Sequence, residues 1–419
     1  MRVRGTVQVP GDKSLSHRAL IFAALGSGTS RVREILPSAD VQATAACLRA
    51  MGVDIPALAP DLAITGVGLR GLHAPAAELD AANSGTTARL LAGVIAAHPM
   101  HATILGDASL SRRPMRRVAA PLVAMGARVH LAAEGTLPMS IDGGSLRSID
   151  WTSEVASAQV KGCLLLAGLV AGVPVSVTEP SLSRDHTERM LRALGADLRV
   201  DGTRISLAPC KSLSSLDLRM SGDPSSAAFF AALAAASEGG EVVLTNVGLN
   251  PTRTGFLTTL QRMGAHVELL DRRDEGGELV GTVRVRPNGL RGRLVGGAVI
   301  PTMIDELPLL ACLATLAEGD TIIRDALELR TKESDRISTV VANLRSLGAD
   351  AEELPDGLRV GGSRAALHAG PVVTHGDHRL AMAFGVLGAA TGLDLAIDDR
   401  ACVAVSYPDF WRDLAALIQ

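Results

Sequence analysis

The sequence predicts an α/β protein in two lobes, assembled from six copies of one unit of two helices and short strands, three copies to a lobe. Three observations carry this reading. A short phrase recurs at Leu48-Arg-Ala-Met-Gly-Val53, Leu122-Val-Ala-Met-Gly-Ala127, Leu191-Arg-Ala-Leu-Gly-Ala196, Leu260-Gln-Arg-Met-Gly-Ala265 and Leu344-Arg-Ser-Leu-Gly-Ala349. Its copies lie roughly 70 to 85 residues apart, too far for a solenoid period but suited to a small α/β unit. Upstream of each copy, and once more near the C-terminus, a segment is apolar almost all the way round, which a helix tolerates only when protein surrounds it. Short alternating apolar and polar runs between these segments have the period of half-buried strands. The length, 419 residues, is also more than one core usually holds.

Along the chain, the buried helices are predicted at 16–25, 87–97, 160–170, 226–236, 307–317 and 380–390. The recurring phrase closes a second, amphipathic helix in each of the first five units, with its glycine as the C-terminal stop. Strands are predicted at 6–9, 102–105, 174–177, 241–244 and 282–286. One lobe spans 13–221; the other joins 1–12 to 222–419. Lys332-Glu333-Ser334-Asp335-Arg336 is read as the start of an amphipathic helix that keeps Ile337, Val340, Val341, Leu344 and Leu347 on one side as far as Gly348. Lys332 and Arg336 would then share a face and repel unless an anion lies between or beyond them.

The net charge of −3 and an aromatic content of 2% argue against nucleic acid, which calls for a basic surface and stacking residues. Cys47, Cys163, Cys210, Cys312 and Cys402 are scattered and form no Cys-x-x-Cys, so they read as small buried residues of a reducing compartment. The N-terminus has no apolar signal core. The richest apolar run, 164–177, is broken by Gly168, Gly172 and Pro174 and is too short to span a bilayer. A cytoplasmic location, no membrane contact and a monomeric state are expected.

Polar residues cluster just ahead of the buried helices. Gly11-Asp-Lys13-Ser14-Leu-Ser-His17-Arg18 offers two cations and two hydroxyls, and Asn83-Ser-Gly85-Thr86-Thr offers hydroxyls and a glycine that an anion can approach closely. Ser157-Ala158-Gln159 with Lys161, Gly222-Asp-Pro-Ser-Ser226 and Gly376-Asp377-His378-Arg379 open further units, while Arg112-Arg113-Pro114 and Ser183-Arg184-Asp185-His186 add cations elsewhere. Ser, Asp and Asn are ordinary N-caps. Strong cations at helix starts are not, because the dipole disfavours them there unless anions are present. The pattern implies ligands with several negative charges, phosphate and carboxylate together, both of which arginine binds in bidentate fashion. Gly11-Asp-Lys13-Ser14 lacks the upstream glycine of a P-loop, His375-x-x-His378 has no acidic or cysteine partner at metal-ligand spacing, and no Rossmann or nucleophile-elbow motif is present. No metal and no cofactor are expected.

These motifs, together with Asp305-Glu306 and Lys332-Glu-Ser-Asp-Arg336, resemble in order those of the EPSP synthase (3-phosphoshikimate 1-carboxyvinyltransferase) branch of the enolpyruvyl transferases, from end to end of the chain. The resemblance implies an inverse α/β barrel-like pair of lobes, each of three βαβαββ units, joined by two crossing segments. It implies transfer of the enolpyruvyl group of phosphoenolpyruvate to the 5-hydroxyl of shikimate 3-phosphate, on the shikimate pathway to chorismate and the aromatic amino acids. By that resemblance Lys13, Gly85, Arg113 and Gln159 would meet phosphoenolpyruvate around its phosphate, and Arg336 and Arg379 its carboxylate. Lys13, Ser14, Arg18, Ser157, Ala158 through its backbone, Gln159, Arg184, Asp305 and Lys332 would hold shikimate 3-phosphate, with Asp305 and Lys332 near the ring hydroxyls. Most of these shikimate contacts fall in the 13–221 lobe; the catalytic acid and base and the carboxylate-binding arginines fall in the other. Glu333 would donate the proton to carbon, and Asp305 would take one from the attacking hydroxyl with help from Lys13. Two cationic neighbours favour the carboxylate form of Glu333, whereas a proton donor must hold its proton.

The chain departs from the family pattern at Ala404-Val405-Ser406-Tyr407-Pro408-Asp409, where many members carry a lysine and this one has valine. Gly85 is alanine in some glyphosate-insensitive relatives, so glyphosate sensitivity is implied. The sister enzyme that acts on UDP-N-acetylglucosamine typically shows Lys-Asn after the first strand and a loop cysteine, against Lys13-Ser14 here. A non-catalytic anion-binding homologue is the remaining alternative, and the retained Lys13, Asp305, Glu333, Arg336 and Arg379 speak against it.

Overall fold

The computed structural model describes residues 1–362 and 364–419. Its helices are α1 (Lys13–Leu25), α2 (Ala39–Ala50), α3 (Gly85–Ala96), α4 (Arg116–Met125), α5 (Ala158–Ala171), α6 (His186–Ala193), α7 (Pro224–Ala236), α8 (Gly255–Met263), α9 (Leu307–Ala314), α10 (Arg336–Ser346), α11 (His378–Thr391) and α12 (Phe410–Leu417). The six helices read as apolar all round are α1, α3, α5, α7, α9 and α11. They are sunk in protein almost throughout; every residue of α7 is buried. Five start at a side-chain cap: Asp12, Ser84, Ser157, Asp223 and Asp377 each accept a first-turn N–H. These caps satisfy donors that burial would otherwise strand. In α9 that place is taken by the 3₁₀ turn Ile304–Glu306 and by Pro308.

The five glycines of the recurring phrase end their helices for a conformational reason. Gly52, Gly126, Gly195, Gly264 and Gly348 have φ of 95°, 110°, 91°, 119° and 89°, a left-handed backbone that a Cβ disfavours.

Among the described residues, four of the six sheets have four strands on one plan, one has three strands, and the last is only the parallel pair Gly370–Val372 and Leu395–Ile397. Leu79–Asp80, His101–Leu105, Met139–Asp142 and Arg128–Leu131 lie side by side, with a parallel first pair followed by antiparallel ones. Ile149–Thr152, Val175–Thr178, Arg204–Leu207 and Leu198–Asp201 do the same, as do Leu294–Val295, Asp320–Ile323, Gly357–Gly361 and Ala351–Leu354. A buried helix connects each parallel pair, which requires a crossover. In two repeats the first strand comes from a distant part of the chain. Arg2–Gln8 pairs in parallel with Gly239–Gly248, and Asp217–Arg219 pairs with Ser27–Arg33.

The chain divides into two compact lobes. One comprises Gly11–Met220 with Glu275–Glu278, the tip of the hairpin between His266–Glu275 and Glu278–Arg286; the other comprises Met1–Pro10, Ser221–Asp274 and Leu279–Gln419. Each has its own apolar core. In the first, α3 packs on α5 and α1; in the second, α11 packs on α9 and α7. Among the described residues no helix is long and apolar enough to cross a membrane.

Candidate active site

In the Gly11–Met220 lobe, the buried helices begin beside one another and bring their capping segments together. Lys13 is the first residue of α1 and forms an ion pair with Asp40 in the first turn of α2. One turn on, Arg18 is 4% exposed; it donates from Nε to Thr187 Oγ1 at 2.8 Å and from Nη1 to the Ser14 carbonyl at 2.9 Å. Burial pulls the Arg18 guanidinium down to about 10; Glu188 and Asp12 oppose the fall and nearby Arg184 adds to it.

Gly85 opens α3, where a Cβ would stand 2.6 Å from Arg89 Nη1 and 3.5 Å from Arg113 Nη1. Arg113 donates to Asn83 Oδ1 at 2.8 Å, and Arg89 donates to Gln159 Oε1 at 2.6 Å and to the Pro114 carbonyl at 3.2 Å. Gln159 Nε2 donates to Thr86 Oγ1 at 3.0 Å. Gly85, Arg113 and Gln159, drawn from three places in the sequence, thus meet around Arg89. Arg89, the one charged residue of α3, is half-buried and stands outside the motifs that the sequence analysis singles out. Ser157 caps α5 from beside Ala158, and Arg184 lies in the turn before α6.

Beneath these residues runs a buried polar chain. His17 Nδ1 lies 2.7 Å from Thr44 Oγ1, which lies 2.6 Å from Thr87 Oγ1, which donates to Ser84 Oγ at 2.7 Å. Burial first, and then the charges of Lys13 and Arg18, hold His17 well below its ordinary value of 6.5. Folded His17 therefore stays neutral while the unfolded imidazole takes up a proton below about 6.5, so stability falls as pH drops from there, by roughly 1 kcal/mol per unit. A His17→Gln variant is expected to lose less melting temperature than the parent between pH 6.5 and 5. Buried His98, also lowered, adds slope of the same sign in both proteins. Parallel slopes for the two proteins in thermal scans would rule out the His17 contribution.

In the second lobe the charges converge on Arg336, which is 1% exposed. It is the first residue of α10, behind Asp335, which caps the helix by accepting from the Ile337 and Ser338 N–H groups at 3.1 Å. The spacing predicts Lys332 and Glu333 within the helix, and the structure places both ahead of it, because Asp335 takes the cap. Lys332 follows the 3₁₀ turn Leu327–Thr331 and donates to Glu328 Oε1 at 3.0 Å. It therefore does not share a helical face with Arg336. Arg336 donates from Nε to Asp377 Oδ2 at 2.7 Å, from Nη1 to Asp305 Oδ1 at 3.2 Å, and from Nη2 to Glu333 Oε2 at 2.6 Å and Asp377 Oδ1 at 3.2 Å. Burial works against its charge, but Asp377, Glu333 and Asp305 more than offset that and hold it above its ordinary range.

Arg379, in the first turn of α11, lies 3.7 Å from Asp305 Oδ2 and 3.9 Å from Glu306 Oε1. Much of the anionic charge that the cations at helix starts call for is therefore supplied by the protein: Asp40 for Lys13, and Asp377, Asp305 and Glu333 for Arg336. Sequence reasoning missed Asp40, and it took Asp377 only as part of a motif.

The EPSP synthase (3-phosphoshikimate 1-carboxyvinyltransferase) family model matches residues 1–414. The chain is 46% identical over 416 residues to the 3-phosphoshikimate 1-carboxyvinyltransferase of Bacillus velezensis, covering 99% of this chain and 97% of that one. It is 47% identical over 418 residues to the enzyme of the same name from Geobacillus thermodenitrificans, again covering 99% and 97%. Its structure superposes on EPSP synthase from Acinetobacter baumannii with a TM-score of 0.86 and 42% identity, covering 99% and 95% of the two chains. The enolpyruvyl transferase NikO from Streptomyces tendae, at 20% identity and a TM-score of 0.75, shares the fold over 99% and 95%. The chain belongs to the EPSP synthase (3-phosphoshikimate 1-carboxyvinyltransferase) family, with the two-lobed fold of the enolpyruvyl transferases.

Proposed function

We propose that this chain transfers the enolpyruvyl group of phosphoenolpyruvate to the 5-hydroxyl of shikimate 3-phosphate and releases phosphate, using the residues that match the family motifs. The observation that carries the reading is the family match over residues 1–414. The charge arrangement supports it, since both lobes gather cations at helix starts, where small polyanions are the natural ligands.

Lys13, Gly85, Arg113 and Gln159 meet phosphoenolpyruvate around its phosphate, while Arg336 and Arg379 bind its carboxylate. Lys13, Ser14, Arg18, Ser157, Ala158, Gln159 and Arg184 hold shikimate 3-phosphate, with Asp305 and Lys332 at the ring hydroxyls. Glu333 gives a proton to the methylene carbon, which leaves the adjacent carbon open to attack. The 5-hydroxyl oxygen adds there as Asp305, assisted by Lys13, takes its proton. The new methyl group then returns a proton, the carbon–carbon double bond re-forms and the carbon–oxygen bond to phosphate breaks. The protein works as a cytoplasmic monomer without metal or cofactor, and its five free cysteines fit a reducing compartment.

Mixing purified protein with both substrates is expected to release phosphate and form the enolpyruvyl ether, with glyphosate inhibiting in competition with phosphoenolpyruvate. Release with UDP-N-acetylglucosamine in place of shikimate 3-phosphate would overturn the substrate assignment. Release with neither acceptor would make the chain a binding protein. Tolerance of millimolar glyphosate would remove the sensitivity read from Gly85.

A further inference from the structure

The Gly11–Met220 lobe buries a charge cluster to which the reaction gives no part. Lys161 Nζ, on α5, lies 2.8 Å from Glu179 Oε2 and 2.7 Å from Glu188 Oε1, and all three side chains are no more than 2% exposed. Burial pushes the Glu188 carboxyl up although Lys161 draws it back. Two carboxylates around one ammonium make an expensive way to fill a core, because apolar side chains of similar volume would serve stability as well or better. Such a cluster calls for a reason besides stability.

The bonding of Glu179 supplies one. Its Oε1 accepts from the Ser157 N–H at 3.0 Å and the Ser183 hydroxyl at 2.6 Å; its Oε2 accepts from Lys161 and from the Ser183 N–H at 3.3 Å. A single carboxylate therefore fixes the main chain at the cap of α5 and both donors of the residue before Arg184. Its partner cation also holds Glu188, next in sequence to Thr187, whose hydroxyl accepts from Arg18.

We propose that Glu179, with Lys161 as its counter-charge, is a positioning residue for the shikimate 3-phosphate subsite, locking the Ser157 cap and the Ser183–Arg184 turn into one geometry. This rests on the assignment of Ser157 and Arg184 to that substrate. A phosphate seat built from separate segments is only as exact as the shell behind it, and a buried, four-coordinated carboxylate is a stiff shell.

The test is Glu179→Gln in the full-length protein. The amide keeps the volume but can no longer accept at both ends, and Lys161 retains Glu188. The KM for shikimate 3-phosphate is expected to rise about tenfold, with kcat and the KM for phosphoenolpyruvate within about twofold. Ser183→Ala leaves the buried charges untouched and is expected to raise the same KM about threefold; it decides the matter alone if the glutamine variant does not fold. An unchanged KM for shikimate 3-phosphate, or an equal rise for both substrates, overturns the positioning role. Wild-type protein that is inert toward shikimate 3-phosphate overturns the substrate assignment and this role with it, whereas normal wild-type turnover beside unaffected variants overturns the positioning role alone.

Discussion

Replacing Arg336 with methionine is expected to destabilise the protein by roughly 3–5 kcal/mol and to lower kcat/KM by about three orders of magnitude or more. The stability loss follows from what stays behind. Arg336 is 1% exposed and bonded to Asp377, Asp305 and Glu333, and the Asp377 side chain is itself fully buried. Methionine fills most of the volume but takes away the guanidinium bonded to all three carboxylates, leaving Arg379 at 3.7 Å from Asp305 as a weaker counter-charge, and loss of a buried cation from its carboxylates is among the few single changes that cost this much. The melting temperature should drop by about 5 °C. Arg379→Met provides the contrast. Its nearest carboxylate oxygens are 3.7 and 3.9 Å away, beyond hydrogen-bond distance, so its loss should lower the melting temperature by less than that of Arg336 while still weakening phosphoenolpyruvate binding. Thermal unfolding and the KM for phosphoenolpyruvate, measured on both variants, separate the two roles. An Arg336→Met protein that melts within 2 °C of the parent would show that the carboxylates do not depend on this guanidinium.

That contrast bears on what could be read from the sequence. The buried helices could be, since a run such as Pro224–Ala236 has no polar face to offer water. The helix ends could be too, because a left-handed residue after an amphipathic turn selects glycine, as Gly126 and Gly264 show. The site residues could be named by motif but not arranged. Lys332 and Arg336 stand four apart, and spacing alone puts them on one helical face; the Asp335 cap moves the helix start past Lys332, a choice between competing first turns that periodicity does not register. The counter-charges were harder still. Asp40 reaches Lys13 across 27 positions and Asp377 reaches Arg336 across 41, distances over which only the folded topology decides which groups meet. Glu179 and Glu188 on Lys161 belong to the same class: nothing local marks them as a trio.

Replacing Glu333 with glutamine is expected to lower turnover by about two orders of magnitude or more while both substrates still bind. The Glu333 carboxyl group sits 2.6 Å from Arg336 Nη2, whereas a donor to carbon must hold its proton. The two facts are reconciled if the carboxylate of phosphoenolpyruvate takes the place of Glu333 on Arg336, as bidentate geometry allows. Glutamine preserves the shape and can still accept from Nη2, so the fold and the site should persist, and with 22% side-chain exposure little stability is at stake. Because the neutral amide competes less for Arg336, phosphoenolpyruvate should bind the variant at least as tightly as the parent. Turnover measured beside equilibrium binding distinguishes the outcomes. A deep fall in kcat with unweakened phosphoenolpyruvate marks a proton donor. Near-normal turnover removes Glu333 from the chemistry. Weakened binding makes it a structural partner of Arg336 instead.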